Sequence, residues 1–489
     1  MGSSDYISYR DIPKVLRRFS FSSKMRIASS FSRIMLTPDG MNNELARKGY
    51  PLPWELETFV LFCVAAGEWA SNSIDEKNGR IFDRIIRGIR CYMPPVLDIK
   101  EPGQDFSDAY MMVARATQFE IQEDVATKIY RYSYYFSFKN DAIDMEDEFK
   151  TKFGCSYSDF LSIILGWWYW LSISKRPVPQ HAFEKMMTAH PKVIESLSIT
   201  RDRYAEELSS ITLDQDDYLY CLRPSYSYPF IRDGDMLYLP LPHLLIRSVT
   251  SSLMFRLTDN NLALREKIGK EVLENYLFGI LSDAEEFDEL LCEQEYSVSG
   301  VTQKTIDVMG RKGDITVFFD SKSFTPKSQI RVFSQEAIEN DIRRIAKCCR
   351  QMYHHIHDEF QHNYDFFVAR EEIPMGNRYG LVVLAEEPYF RLDVIFNVAA
   401  EMLGIEIGSY EYNWMRDHIG IVETYEIERM CFTRSSIVNR ILDRKNGHSQ
   451  NDVWLAGSTD SKKIKDLSFS SFQHKIKQIG VDSLKAYFD

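Results

Sequence analysis

The sequence predicts an α+β protein: a helical N-terminal domain followed by a C-terminal α/β core whose elements run helix, three strands, helix, strand. Three observations carry that class. Apolar residues recur at steps of three and four through roughly the first 210 positions. From about Tyr218 the texture changes to strand-like runs with an Asp-Gly turn signal. Between 261 and 385, long amphipathic periods alternate with short continuous apolar runs, the pattern of helices packed on a buried sheet.

A chain of 489 residues exceeds what one hydrophobic core supports, so two or three domains are expected. They are a helical regulatory or partner-binding domain over 1–215, an α/β domain over 216–435, and a polar loop with a terminal helix over 436–489. Apolar residues at 44% and charged residues at 27% are ordinary for a globular chain. A net charge of −12 excludes coating of DNA by bulk electrostatics, so any nucleic acid contact must use a local basic patch. Eight scattered cysteines form neither a disulfide framework nor a Cys-x-x-Cys zinc site, and the expected compartment is a reducing cytoplasm. Phe160 to Ser174 is uncharged over 15 residues, short of the ~20 that span a bilayer, and is expected to be a buried helix with no membrane role. The N-terminus lacks the apolar core of a secretory signal; residues 10–35, rich in Arg, Lys and Ser and nearly free of acids, share the composition of an organelle transit peptide but are assigned to a basic amphipathic helix.

In the first domain, Leu56, Phe59, Val60, Cys63 and Val64, and then Ile81, Ile85, Ile86 and Ile89, mark two helices separated by proline breaks. The aromatic run Tyr130 to Phe138 is assigned to core packing rather than to base stacking. Residues 228–242 hold a hairpin around Asp233-Gly234, and a helix begins near His243. A helix over 261–281 carries Leu264, Ile268, Val272, Tyr276 and Ile280 at steps of four. Strands follow near Glu293–Ser299, Lys304–Met309 and Ile315–Phe324, then a long helix over Ser334–Phe360, a strand over Tyr379–Ala385 and a helix near Asp393–Leu403. Phe472 to Phe488 forms a closing helix.

The chemistry lies in the third strand. On a strand, alternate side chains share a face, so Asp320 and Lys322 project together and Ser321 points away. Asp314, six residues before Asp320, lies roughly 20 Å away at ~3.3 Å per residue and is a turn residue. Asp307, across a turn over Gly310 to Gly313, is expected opposite Phe318 or Thr316 and diagonally within reach of Asp320. Two carboxylates beside a lysine suit a hard divalent cation and a phosphodiester.

This arrangement resembles the PD-(D/E)xK nuclease superfamily, the restriction-endonuclease-like fold, over about residues 261–390. The resemblance implies an αβββαβ core and a Mg²⁺- or Mn²⁺-dependent endonuclease acting on nucleic acid, DNA ahead of RNA. It also implies a helix acid, for which Gly269-Lys-Glu-Val-Leu-Glu274 supplies Glu274, with Glu271 as fallback, and a helix glutamine, for which Arg350-Gln351 is similar. The metal ligands it implies are Asp307, Asp320, Glu274 and the backbone carbonyl of Ser321, with Lys322 stabilising charge at the phosphate. Arg343, Arg344, Lys347 and Arg350 would supply phosphate contacts. No Pro precedes Asp307, and Asp320 stands where Glu is commoner. By fold analogy the setting is restriction, repair or antiviral defence. A protein or small-molecule activator would act through the first domain, and a homo-oligomer is open.

Two competing readings belong here. Asp-x-Lys on an edge strand is a weak surface ion pair, and the nuclease fold can persist as a non-catalytic scaffold for nucleic acid or protein. His354, His355, His357 and His362 crowd one helix end, with His354 and Asp358 on one face. They complete no recognised zinc pattern and are assigned to an exposed helix terminus. There is no P-loop and no Gly-x-Ser-x-Gly.

Overall fold

The structure, a computed structural model, describes residues 6–36, 50–74, 79–92, 124–174, 180–332, 334–368, 373–386, 390–445 and 466–488. It is α+β overall. The described residues fall into two compact units, one drawn from Met1–Phe136, Met145–Asp259 and His474–Asp489, the other from Ser137–Asp144 and Asn260–Gln473.

The first unit is mainly helical. Its centre is the helix Pro53–Ala65, started by a proline that needs no N–H there and by Glu55, whose side chain accepts the Leu52 N–H at 2.8 Å. Leu56, Phe59, Val60, Leu61, Phe62 and Cys63 are all fully buried, as are Glu55, Glu57 and Thr58, so this helix is covered on every face and lies inside the unit. Tyr132, Tyr135 and Phe136 of the aromatic run are buried, in keeping with a packing role. The uncharged segment forms the helix Tyr157–Ile173, where Trp170 stacks on Phe488 at 4.8 Å and Ser162 accepts a hydrogen bond from Ser483 at 2.7 Å. Among the described residues no helix is long and apolar enough to cross a membrane.

Strands β1 (Ser198–Thr200), β2 (Phe230–Asp233) and β3 (Met236–Tyr238) form a small sheet in the same unit. Because β1 pairs in parallel with β2, the hairpin at 230–238 is tied to the helices before it. The compact units therefore divide at Asp259/Asn260, although the sequence texture changes near 216. The closing segment divides as well: from His474 onward it belongs with the first unit, while Ser436, Ile437 and Val438 are bound to Glu286 in the second.

The second unit is built on a five-stranded sheet of order β10-β9-β8-β7-β4. Its strands are β4 (Glu289–Cys292), β7 (Val308–Lys312), β8 (Ile315–Lys322), β9 (Arg378–Leu384) and β10 (Ile419–Glu423), while β5 (Glu295–Val298) and β6 (Val301–Lys304) form a separate ribbon. The first three sheet strands in the chain are antiparallel neighbours, and β8, β9 and β10 run parallel. The near-continuous apolar runs of β8 and β9 fit central strands covered on both faces. Between them the chain crosses through the helix Gln335–Tyr353. Gly380 makes that crossing tight: a Cβ there would lie 2.4 Å from the Met352 side chain.

Four expectations are corrected here. The strand expected at Glu293–Ser299 lies outside the main sheet, whose edge is Glu289–Cys292 instead; residues 295–304 turn back on themselves at Ser299-Gly300 as the ribbon. The turn expected at Gly310–Gly313 is Gly313-Asp314, because Lys312 pairs with Ile315 and Gly313 supplies the positive φ of 58° that the tight hairpin needs. The long helix ends at Tyr353 and continues as a π turn over His354–Asp358, followed by Phe360–Tyr364. Strand β10 was not expected at all.

Candidate active site at the end of the central strand

β8 carries buried side chains up to Phe319, all apolar but Thr316, and then presents Asp320, with none of its surface exposed, and Lys322. Val308 faces Phe319 in the ladder, so the same register continued by one residue sets Asp307 directly across from Asp320 and on the same face. The diagonal relation expected from the sequence is replaced by a direct one, a consequence of the displaced turn. Asp307 Oδ2 accepts the Ser321 N–H at 2.7 Å, which fixes that carboxylate against β8. Lys322 Nζ lies 2.7 Å from Asp320 Oδ1 in an ion pair. Oδ2 of Asp320 has no hydrogen-bond partner among the described residues.

The helix preceding the sheet supplies the third acid. It is interrupted by a π segment, Ile268–Leu273, and Glu274 is the first residue after it. At Gly269 a Cβ would meet Ser323 at 3.4 Å, so this part of the helix runs beside the end of β8. Glu271 is turned elsewhere: its carboxylate accepts from Asn140 Nδ2 at 2.8 Å. Of the two acids weighed in the sequence, Glu274 is the one that feels Asp320 and Lys322.

Electrostatics binds these groups into one cluster. Burial pushes Glu274 up to about 7, Glu293 and Asp320 add to the rise, and Lys322 and Lys270 oppose it. Asp307 is raised well above the carboxylate range by burial first, then by Asp320 and Glu274, against Lys322 and the Ser321 N–H. Burial lowers Lys322, but Asp320 and Asp307 outweigh it and the ammonium is held more firmly than usual. The site therefore gathers three buried acids around one lysine, and Asp307 and Glu274 answer the crowding by holding their protons more firmly.

Gln351 is exposed on the long helix, and no hydrogen bond of its side chain is found among the described residues. Coupled to the cluster instead are Cys348 and Cys349 of that helix and His355 of the π turn after it; the assignment of His355 to an exposed helix end is corrected, because it is buried. Burial and Asp320 push the Cys348 thiol up to about 11, with Lys322 and Arg344 opposing. His355 is buried, its Nδ1 lacks a partner among the described residues, and burial lowers its pKa against the pull of Asp320. Arg344, Cys348, Gln351 and His355 follow one another at helical steps, a face the sequence offered but whose orientation it did not reveal. Glu293, ion-paired with Lys304, was also missed.

The donor set is carboxylate oxygen, which hard divalent cations take, and the unpartnered Oδ2 of Asp320 fits such a ligand. As the side chains stand, no three or more His, Cys, Asp or Glu among the described residues are grouped to hold a metal ion, and Lys322 occupies the Asp320 carboxylate. At the histidine-rich helix end, His354 Nδ1 and His357 Nδ1 each bond Asp358, at 2.6 and 2.7 Å. Comparison of the chain with protein-family models, with curated proteins and with solved structures found no match.

Proposed function

We propose that the second unit is a PD-(D/E)xK-type nuclease with a restriction-endonuclease-like core, hydrolysing phosphodiester bonds of nucleic acid, DNA ahead of RNA. The observation that carries this reading is Asp320: a carboxylate with no exposed surface, beside two further acids, with one oxygen lacking any donor among the described residues. A side chain kept for stability alone is poorly served by such a place, since a buried charge without full pairing is costly.

Asp307, Asp320 and Glu274, with the Ser321 carbonyl, are the groups that would hold Mg²⁺ or Mn²⁺, and such an ion when bound supplies Lewis-acid polarisation and a more acidic water. Lys322 places a preorganised ammonium where negative charge develops on the phosphoryl oxygens. Glu274, ionised above about 7, orients the attacking water and accepts the proton that the water gives up. Arg343, Lys347 and Arg350, exposed along the long helix, hold the backbone phosphates. The first unit is the regulatory or partner-binding part, through which an activator acts, and the setting is restriction, repair or antiviral defence.

Manganese binding tests the acids without relying on turnover. Because Glu274 and Asp307 are raised, part of the cluster is protonated near neutrality and must release protons to take a cation. Calorimetry in buffers of different ionisation enthalpy should show proton release on Mn²⁺ binding, affinity rising with pH through about 7, and loss of binding in Asp307→Asn. Binding indifferent to pH and to that substitution would count against the site. A second reading, the nuclease fold as a non-catalytic scaffold, is favoured by the Lys322–Asp320 ion pair and the open spacing of the acids. Absence of Mn²⁺ binding together with retained DNA binding would select it.

A further inference from the structure

Ser20 starts the helix Phe21–Ser32 by accepting the Ser23 N–H at 3.3 Å, and this helix meets the helix Gly79–Arg90 where Phe31 stacks on Phe82, ring centroids 4.7 Å apart. Beside that stack lies a cavity of about 600 Å³, lined by residues of the first unit. A close-packed interior leaves few voids larger than a water molecule, whereas small-molecule sites occupy roughly 300–1,000 Å³. The wall is mostly hydrocarbon: Ile27 and Phe31 of the first helix, Phe82 and Ile86 of the second, and Ile74 before it. Ile74, Phe82 and Ile86 are buried, while Ile27 and Phe31 keep part of their surface open.

Three polar residues share the wall, and two of them are already engaged. Asp83 Oδ2 lies 3.1 Å from the Arg87 guanidinium, so its charge is offset. The Ser30 hydroxyl donates to the Arg26 carbonyl at 2.9 Å. The Arg26 guanidinium is left over: it is exposed and has neither an ion pair nor a hydrogen bond among the described residues. Charge in this part of the chain favours an anion as well. Residues 6–92 carry 14 lysines and arginines against 9 aspartates and glutamates, whereas the whole chain carries 59 against 71.

We infer that this cavity binds an amphipathic organic anion, whose apolar body fills the space beside Phe31 and Ile86 and whose carboxylate pairs with Arg26. The hydrocarbon wall supplies affinity through the area it removes from water. The guanidinium supplies selection, because its planar fork takes a carboxylate by two parallel hydrogen bonds and repels a cation. The inference goes beyond the nuclease reading and does not depend on it. It gives the first unit a small-molecule site of its own.

The test is calorimetric titration of the full chain with 2-naphthoate and with 2-naphthamide, which keeps the body and removes the charge. The expected result is saturable binding of one naphthoate per chain, about tenfold or more tighter than the amide. Arg26→Gln should lose that factor for naphthoate and bind the amide as the wild type does, and Arg26→Lys should recover part of the loss. Because Arg26 is exposed, both variants should melt at the wild-type temperature. Ile27→Trp, which fills the space, should weaken both ligands. The absence of saturable naphthoate binding, equal affinity for acid and amide, or undiminished naphthoate affinity in Arg26→Gln would overturn the site.

Discussion

Asp320→Asn should abolish metal-dependent cleavage of plasmid, by about 10²-fold or more, while leaving the melting temperature of the metal-free protein unchanged or raised. The asymmetry follows from the site. Asparagine keeps the shape and removes a buried charge, one of whose oxygens has no donor among the described residues, while Lys322, 28% exposed and also attracted by Asp307, keeps water and a second carboxylate, so the fold loses little. The reaction loses a carboxylate that any divalent ion would need. Lys322→Ala should be as inactive but less stable, since it leaves the Asp320 carboxylate buried without its 2.7 Å partner. Incubation of both variants and the wild type with plasmid, single-stranded DNA and RNA, in Mg²⁺, Mn²⁺ or chelator, reads the prediction. Cleavage by Asp320→Asn at the wild-type rate, or cleavage that survives chelator, would remove the metal mechanism.

The largest expected effect on stability lies in the first unit, at Glu57. This carboxylate is 2% exposed and meets Arg223 Nε at 2.9 Å, His243 Nε2 at 3.1 Å and the Tyr226 hydroxyl at 3.0 Å. Burial alone would raise it, but Arg223, His243 and Tyr226 pull it down to about 2. Glu57→Gln leaves the Arg223 guanidinium buried beside an amide and should cost about 3–5 kcal/mol in urea unfolding. The sign in pH follows from the same shift. A carboxylate depressed from about 4.5 to about 2 stabilises the fold fully above the higher value and loses that contribution as pH falls through the lower. Wild-type stability should therefore fall between those limits, and that acid-side loss should be smaller in Glu57→Gln. Equal stability of the two proteins at pH 7 would show the network to be incidental.

The sequence made the centre of the second unit legible because β8 and β9 are continuous apolar runs and the helices on either side are strongly periodic. Asp320 and Lys322 share a face by strand alternation alone. Asp307 was the right neighbour, but its register was misjudged because Arg311 and Lys312, charged residues flanked by glycines, look like a loop and instead prolong the strand. β10 escaped notice because Ile419-Gly-Ile-Val is short and glycine-interrupted; it becomes a strand by pairing with β9. Cys348 and His355 could not be placed because periodicity gives a helix its faces without saying which side chain ends over which carboxylate. Glu57 and His243 lie far apart in the chain, and nothing local announces that they meet.

The hairpin between β7 and β8 contains only Gly313 and Asp314. Because side chains alternate along a strand, one inserted residue there, taken into β7 while the turn keeps two residues, would slide Asp307 opposite Ser321 and carry its carboxylate to the far surface of the sheet. Whether the acids meet would then be decided roughly 17 Å away, five residues along the strand at ~3.3 Å each, by how a turn outside the cluster takes up its length.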